Sequence, residues 1–259
     1  MTVRLSTGLR NFLNSGGSLK QALNNGRIEV YTGTQPANGD AAVSGTLLCT
    51  FTKSSGAFTA EIQTTMAIEL TGGASGNISA VTIDGLNILD ETVTFDTSLA
   101  ITAGLLGAAL NRSATNLDWT AIVVDETVTL VAKPGLSTKY NGKTLANTLA
   151  TITTTLTQPS GGAAAINGLQ YEDSGSGTMT KRASHTWTGT AADSGTAGWF
   201  RHYGSVADNG SADATASALR LDGAIATSGS QMNMSPTSMV AAAVQTLSSF
   251  SPTIPAAGS

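Results

Sequence analysis

The residue types that most often carry chemistry are scarce in this chain. Its 259 residues include one cysteine and two histidines, and only 12% of the residues are charged. A single cysteine cannot form a disulfide within the chain. Cys49 lies in the apolar run of residues 46–51, with no cationic neighbour to activate it. We therefore interpret Cys49 as a small core residue rather than a reactive thiol.

Basic residues and long apolar runs are also lacking. The chain has 13 lysines and arginines against 17 acidic residues, a net charge of −4, and no basic cluster longer than Lys181-Arg182. Because nucleic-acid binding requires many cations to displace counterions from phosphate, we expect no direct contact with nucleic acid. No run approaches the roughly 20 apolar residues of a membrane span, and the first residues lack the apolar region of a signal peptide. We expect a soluble protein made in a cytoplasm, with no membrane partner.

Residues for catalysis or metal binding do not form a recognisable pattern. His185 and His202 have no G-x-S-x-G motif to accompany them, and we interpret both as residues on exposed strands. Residues 208–213 cluster oxygens as calcium loops do but lack the further acidic ligand, so they predict a plain turn. The glycine-rich residues 72–76 lack the lysine of a phosphate-binding loop and predict a flexible linker. We expect no enzyme and no catalytic, cofactor or metal site.

Serine, threonine, glycine and alanine dominate what is present. With 41% hydrophobic residues, the chain is too apolar and too regularly patterned for disorder. This composition is typical of a β-rich protein whose surface is polar but largely uncharged.

The first sixty residues predict two short helices followed by strands. Ser18 is placed to cap the second helix, and strands are predicted over residues 28–31 and 46–52. The first helix is predicted from four apolar residues at helical spacing. These four residues are Leu5, Leu9, Phe12 and Leu13.

The segment of residues 66–160 has the pattern of a separate module. Residues 77–89 predict a hairpin around Asp84-Gly85, and residues 119–132 predict another around Asp125-Glu126. Between them, residues 98–111 predict the best helix of the chain. Its apolar stripe comprises Leu99, Ala103, Leu106 and Leu110. A threonine-rich strand over residues 148–157 closes what we predict to be a small α+β domain.

The last third returns to the pattern of short strands separated by turns. Strands are predicted at residues 186–189, 198–203, 218–225 and 239–250. We expect them to share a domain with the strands of residues 27–60. The predicted fold is mainly β, with a β-sandwich or jelly-roll-like domain built from both chain ends and an inserted small α+β domain. The domain boundaries are 1–65 plus 163–259 for the first and 66–162 for the second.

Both chain ends carry segments that resemble one family. These segments are residues 4–36, which end in IEVYTGTQP, then GTAGWFRHY (195–203), LRLDGAIATSG (219–229) and the tail ending SFSPTIP (249–255). Together they resemble tailed-bacteriophage virion structural proteins, which usually join the first two segments through a short linker. Here roughly a hundred residues intervene, and they resemble an inserted α+β domain of phage structural proteins. The resembling motifs are SGNISAVTIDGLNI, TAGLLGAALN and NGKTL. The resemblance implies a structural role without catalytic residues.

The strand at residues 198–203 is the most specific part of the resemblance. Alternation places Trp199, Arg201 and Tyr203 on one face and Phe200 and His202 on the other. We expect one face in the core and the other against a neighbouring subunit. Arg220 and Asp222 share a strand face, which predicts an ion pair. An exposed pair would contribute little to stability, whereas a pair buried at a subunit contact would fix register. The predicted subunit or capsid interface comprises Leu9, Phe12, Trp199, Arg201, Tyr203, Arg220 and Asp222.

The resemblance predicts a virion component assembled in the host bacterial cytoplasm. We favour a capsid decoration (cement or minor head) protein that binds the major capsid protein through apolar strand faces and the N-terminal segment, and projects the inserted domain outward. A homo-oligomer is expected, with a trimer as the simplest guess. The first alternative is a neck, collar or tail subunit. The second is a carbohydrate-binding adhesin module that uses the aromatic side chains around Trp199.

Overall fold

The chain is organised as two compact units. A computed structural model describes residues 3–173 and 178–252. Residues 253–255 of the C-terminal segment SFSPTIP therefore lie outside the described residues. Unit 1 comprises Met1–Glu61 and Ala165–Ser259, and unit 2 comprises Ile62–Ala164. The unit boundaries therefore lie at 61/62 and 164/165, whereas those predicted from the sequence lie at 65/66 and 162/163.

The described part of the chain is mainly β. The helices are α1 (Thr7–Asn14), α2 (Leu19–Leu23) and α3 (Leu99–Arg112). The strands of the N-terminal part are β1 (Arg4–Leu5), β2 (Arg27–Thr32) and β3 (Leu47–Lys53). Those of unit 2 are β4 (Thr65–Gly72), β5 (Asn77–Ile83), β6 (Leu86–Asn87), β7 (Val93–Thr94), β8 (Trp119–Val124), β9 (Thr127–Ala132), β10 (Leu145–Ala150) and β11 (Thr153–Ser160). The C-terminal part contains β12 (Tyr171–Asp173), β13 (Met179–Lys181), β14 (Trp187–Thr190), β15 (Gly195–Tyr203), β16 (Arg220–Ala226), β17 (Met232–Asn233), β18 (Ser238–Met239) and β19 (Val244–Leu247).

Strands from both chain ends form the main sheet of unit 1. Its order is β1-β16-β15-β2-β3-β14-β19, and every neighbouring pair along this path is antiparallel. Strands β17 and β18 pair with β16 and β15 beside this path, while β12 and β13 form a two-stranded sheet. Because β2 lies between β15 and β3, the N-terminal strands cannot complete the sheet without the C-terminal ones.

The apolar core of unit 1 lies on one face of this sheet. Val30 of β2, Phe200 of β15 and Leu221 of β16 point to it, and Leu9 of α1 and Leu23 of α2 belong to the same cluster. Full burial of each such side chain contributes about 1.5–3 kcal/mol. The period-2 pattern of the strands and the spacing of the helices thus supply the two sides of one core.

Ser6 joins the first strand to the first helix. Its fully buried hydroxyl accepts hydrogen bonds from Leu9 N (3.2 Å) and Arg220 N (3.0 Å), and donates one to the carbonyl of Ala218 (2.6 Å). Ser6 therefore caps α1 and pairs with β16 at the same time. The prediction that Leu5 belongs to the first helix is wrong, since this cap starts α1 at Thr7 and leaves Leu5 in β1 opposite Leu221.

Unit 2 packs α3 against two small sheets. One sheet has the order β11-β4-β9-β8, and in the other β5 pairs with β10, β6 and β7. Ser98 caps α3 by accepting a hydrogen bond from Ile101 N (3.2 Å). Ala103, Leu106 and Leu110 of that stripe are fully buried in the unit 2 core.

The predicted turns of unit 2 are present, with one correction. Asp84, Gly85 and Asp125 have positive φ (52°, 85° and 50°), as tight hairpins require. The threonine-rich segment is two strands rather than one, because the chain turns at Thr151 (φ 69°). Before that turn β10 pairs with β5, and after it β11 pairs with β4.

The two ends of unit 2 lie side by side. Ile62 and Ala163 exchange two backbone hydrogen bonds, of 2.9 and 2.8 Å. Next to them, Asn141 holds Gly162 through bonds to its N–H (3.0 Å) and its carbonyl (2.7 Å). A Cβ at Gly162 would lie 1.5 Å from the carbonyl oxygen of Ser137, so this close approach requires glycine.

Candidate functional site

A buried polar surface covers the second face of the unit 1 sheet. Strand alternation and register place eight large side chains there, in three rows across β2, β15 and β16. We call this surface the arginine face. It comprises Arg27, Glu29, Tyr31, Trp199, Arg201, Tyr203, Arg220 and Asp222.

Two bidentate ion pairs anchor the arginine face. Arg201 donates from Nε and Nη2 to the two carboxylate oxygens of Asp222, both at 2.7 Å, and both side chains are fully buried. Arg220 makes the same arrangement with Asp208, again at 2.7 Å for both bonds. Paired, parallel hydrogen bonds satisfy the charges and fix their orientation. Because both pairs are buried and bidentate, we interpret them as part of the folded core rather than as exposed surface ion pairs.

The third arginine joins the aromatic side chains. Arg27 Nε donates to Glu29 at 2.7 Å, and its guanidinium lies 4.2 Å from the centre of the Tyr203 ring. Tyr31 donates a hydrogen bond to the same Glu29 carboxylate, and its ring stacks on Trp199 with centroids 4.7 Å apart. Cation, carboxylate and rings thus form one continuous layer.

Two loops close over this layer, and the arginines hold them in place. Arg201 Nη1 donates to the carbonyl of Ala41 (3.0 Å), and Trp199 Nε1 donates to that of Ser44 (3.3 Å). Arg27 Nη2 donates to the carbonyl of Asp208 (2.6 Å). Because these loop carbonyls have no ladder partner, the side-chain donors supply the hydrogen bonds that a strand would otherwise give them. The loops of residues 36–44 and 206–213 are therefore fastened to the sheet.

Burial keeps the hydroxyls of the arginine face protonated. Burial and the nearby charge of Glu29 raise the pKa of Tyr203 to about 12, and the same two causes raise the pKa of Tyr31 further. Burial also raises the pKa of Asp222 above its usual value, against the lowering effect of the hydrogen bonds from Arg201. Neither phenol carries charge near neutral pH.

His202 lies on the opposite face, inside the apolar core. Its ring is stacked on Tyr171 (centroids 5.6 Å apart), and its Nδ1 lies 2.8 Å from the carbonyl oxygen of Tyr203. Burial lowers the pKa of His202 to about 3. The prediction of an exposed strand position is wrong for His202, which is fully buried, because helices and β12 cover this face of β15. His185 is half-buried and lies in the turn before β14.

The side chains predicted to contact other subunits lie inside unit 1. All seven have 0–7% of their surface exposed, since loops cover one face of β15 and helices the other. Side chains that their own chain covers offer no surface to a neighbour. The seven are Leu9, Phe12, Trp199, Arg201, Tyr203, Arg220 and Asp222.

The predicted ion pair between Arg220 and Asp222 is also replaced by others. Residues two apart on a strand are separated by about 6.6 Å along the backbone, whereas residues directly opposite on neighbouring strands have Cβ atoms about 5 Å apart. Arg201 lies directly opposite Asp222 and takes it as its partner. Arg220 reaches Asp208 of the covering loop instead.

An open pocket lies beside the arginine face. Its volume is about 660 Å³, and Arg27, Arg220 and Phe58 line it together with the loop of residues 206–213 and Ser217-Ala218. Asp213 stands at its rim, where its carboxylate accepts bonds from Ala218 N (2.8 Å) and from the N–H and hydroxyl of Thr215. Partial burial opposes these bonds, which together lower the pKa of Asp213.

Sequence reasoning missed four residues of this region. Glu29 and Arg27 alternate with buried apolar residues on β2, and this polar period on a central strand was the available signal. Asp208 lay in a segment predicted to be a plain turn, and its role depends on a contact with Arg220, twelve residues away. Phe58 lies outside the strands and carried no signal.

Among the described residues, no group of three or more histidine, cysteine or acidic side chains is placed to hold a metal ion. None of the helices in that part of the chain is both long and apolar enough to cross a membrane. No family model, no curated protein and no solved structure matches this chain.

Proposed function

We propose that this chain is a non-enzymatic structural protein of a tailed-phage virion, and that it decorates the capsid shell. The sequence resemblance carried by residues 28–36 and 195–201 is the basis of this proposal. Strands β2 and β15, which overlap those segments, supply six of the eight side chains of the arginine face. A layer of buried ion pairs and stacked rings suits a subunit that must keep one shape within an assembly.

We further propose that unit 1 is a β-sandwich or jelly-roll-like domain. In β15 and β16 the side chains on both faces are buried, so the sheet lies between two covering layers. The helices and β12 form one layer, and the loops over the arginine face form part of the other.

The observation that carries the role in assembly is an apolar tip of unit 1. Residues 240–244 read Val-Ala-Ala-Ala-Val, and Val240 and Val244 are 63% and 66% exposed. The tip is held in place by hydrogen bonds from Ala242 N to Ala191 O (2.8 Å) and from Ala191 N to Ala243 O (2.9 Å). An exposed apolar segment with fixed geometry is typical of a protein contact surface. This tip replaces the buried residues named above as the surface proposed to meet the shell.

Copy number in purified particles tests the proposal. Quantitative mass spectrometry relative to the major capsid protein should give hundreds of copies for a decoration protein. About three to a dozen copies would indicate a neck, collar or tail subunit, as closed rings require. Absence from the particle would refute a virion role. A trimer of this chain in solution, measured by light scattering, is expected if it occupies three-fold positions of the lattice.

A matched pair of variants tests the tip. Val244→Asp should abolish binding of the purified chain to undecorated shells in a sedimentation assay, because it places a charge in the apolar contact. Val124→Asp changes a valine of equal exposure (65%) in unit 2 and should leave binding intact. Equal binding by both variants would remove the tip from the interface.

A further inference from the structure

We propose that the pocket of unit 1 beside Phe58 binds a neutral carbohydrate chain. The inference goes beyond a structural role, and it uses none of the residues of the apolar tip. Its volume of about 660 Å³ falls within the range of about 300–1,000 Å³ that is usual for ligand pockets. The pocket is thus large enough for more than one sugar ring.

The charges around the pocket favour a neutral ligand. Arg27 and Arg220 contribute two positive charges, while Asp208 and Asp213 contribute two negative ones. Each of the four already has a partner: Glu29 for Arg27, the Arg220–Asp208 pair, and Thr215 and Ala218 for Asp213. An anion would therefore lie close to a carboxylate that repels it, and a cation close to a guanidinium that repels it. Neither would find an unpaired group of opposite charge to neutralise it.

The pocket wall combines apolar and hydrogen-bonding surface as a sugar requires. Phe58 is half-buried and lines the pocket. The guanidinium carbon of Arg27 lies 5.2 Å from the centre of its ring. Asn209, Ser211 and Ser217 also line the pocket and supply amide and hydroxyl groups. A pyranose presents an apolar C–H face and a rim of hydroxyls, each both donor and acceptor, so it matches a ring beside a polar fringe.

The pocket also has the rigidity that weak polar contacts need. The Arg220–Asp208 ion pair lines it, and Arg27 Nη2 donates a hydrogen bond to the carbonyl of Asp208 at 2.6 Å. The rim is ordered by bonds from Gly210 N to Asp208 (2.8 Å) and from Ser211 N to Asn209 (3.0 Å). Because these groups are already positioned, binding orders few side chains and loses little conformational entropy. This site is distinct from the aromatic side chains around Trp199, which the loop of residues 36–44 covers.

The test titrates the full-length chain with maltotriose, cellotriose and the trimer of N-acetylglucosamine, followed by NMR of backbone amides. We expect saturable shifts confined to the amides of residues 206–218 with at least one of the three sugars. No saturable shift with any of them would overturn the proposal. Shifts of the same amides with sodium phosphate or calcium chloride, but with no sugar, would assign the pocket to an ion and would equally overturn it.

Variants locate the binding. Ala212 is exposed and lines the pocket, so Ala212→Trp should fill it and weaken binding by at least about tenfold. Ala214→Trp changes an exposed alanine of the same loop outside the pocket lining and should bind as the unchanged chain does. Phe58→Ala should weaken binding while Phe58→Tyr retains it. If the two tryptophan variants bind equally, and the two Phe58 variants also bind equally, the sugar does not occupy this pocket. Particle copy number is measured separately, so failure here leaves the virion proposal standing.

Discussion

The Arg201–Asp222 pair lies where neither partner has contact with water. Removing two charges from water is costly, and the pair recovers that cost only through good geometry and further hydrogen bonds. Arg201 has both: two bonds to the carboxylate and a third to the carbonyl of Ala41. Such a pair stabilises one arrangement of loop and sheet more than it stabilises folding in general.

Removal of one partner of this pair should be severe. Arg201→Met leaves the Asp222 carboxylate buried without its cation and should lower the free energy of unfolding by about 3–5 kcal/mol. Arg112→Met breaks the exposed pair with Glu91, whose side chains are 61% and 45% exposed, and should cost about 0–1 kcal/mol. Urea denaturation measures both variants. A similar loss in the two would show that Arg201 is not bound to its partner as described.

Acid should destabilise the protein through His202. Its pKa falls from the ordinary 6.5 to about 3 on folding, so between these values the unfolded chain binds a proton that the folded chain does not. The contribution of this group to the free energy of unfolding is complete above pH 6.5. Below that pH it should fall by up to about 1.4 kcal/mol per pH unit.

The substitution His202→Phe isolates this effect. It keeps a ring against Tyr171 and Phe250, and urea denaturation at pH 4–7 should show a shallower loss of stability than the unchanged chain. Asp222, whose raised pKa acts in the opposite direction, is present in both proteins and cancels. Identical slopes would mean that folding does not lower the pKa of His202.

Helix α3 offers two glycines in opposite surroundings. Gly104 has open space where a Cβ would lie, whereas a Cβ at Gly107 would come within 2.2 Å of Cγ2 of Val123 on β8. Gly107 therefore sets how closely the helix approaches the sheet, and Gly104 only lowers the helix propensity of the segment.

The two alanine substitutions should have opposite signs. Gly104→Ala should raise the free energy of unfolding by about 0.5–1 kcal/mol, because alanine has the higher helix propensity. Gly107→Ala should lower it by about 1–3 kcal/mol, because the added methyl overpacks the contact with Val123. Thermal unfolding of the two variants side by side measures the difference. Stabilisation in both would contradict the close packing of α3 on β8.

The covering loops show how elements of irregular structure become part of a core. The loop of residues 36–44 contains no strand, and yet its carbonyls are the acceptors for Arg201 and Trp199. Its ordering depends on donors that lie about 160 residues away in the chain. Substitutions in this loop that keep the backbone should therefore be tolerated better than substitutions of the arginines that hold it.

The two units should fold without each other. The ends of unit 2 meet at the Ile62–Ala163 bridge, and those of unit 1 meet at the Thr59–Ile166 bridge. The segment of residues 62–164 produced alone, and the chain in which Asn-Gly replaces that segment, should each show cooperative thermal unfolding and dispersed amide resonances. A disordered spectrum from either would show that the unit needs the remainder of the chain.

Local signals in the sequence were reliable where one residue decides the backbone. Asp84-Gly85 accepts the positive φ of a tight hairpin, and Ser18 caps α2 by accepting a hydrogen bond from Gln21 N. The strands β8 and β9 follow from alternation alone. These features depend on residues within a few positions of one another, so they could be predicted without the tertiary structure.

The arginine face could not be predicted in that way. Alternation gives the two faces of β15 but does not say that loops cover one and helices the other, and so Trp199, Arg201 and Tyr203 were expected at a subunit contact. The partners of Arg201 and Arg220 depend on strand register and loop position across long sequence separations. Those contacts form only when distant segments of the chain meet. The free energy of a buried ion pair also depends on the neighbouring groups that exclude water, and these come from other segments. The three helices and the tight hairpins of unit 2 thus follow from local residue chemistry, whereas burial, ion pairing and the pocket were decided by the packing of the two chain ends against each other.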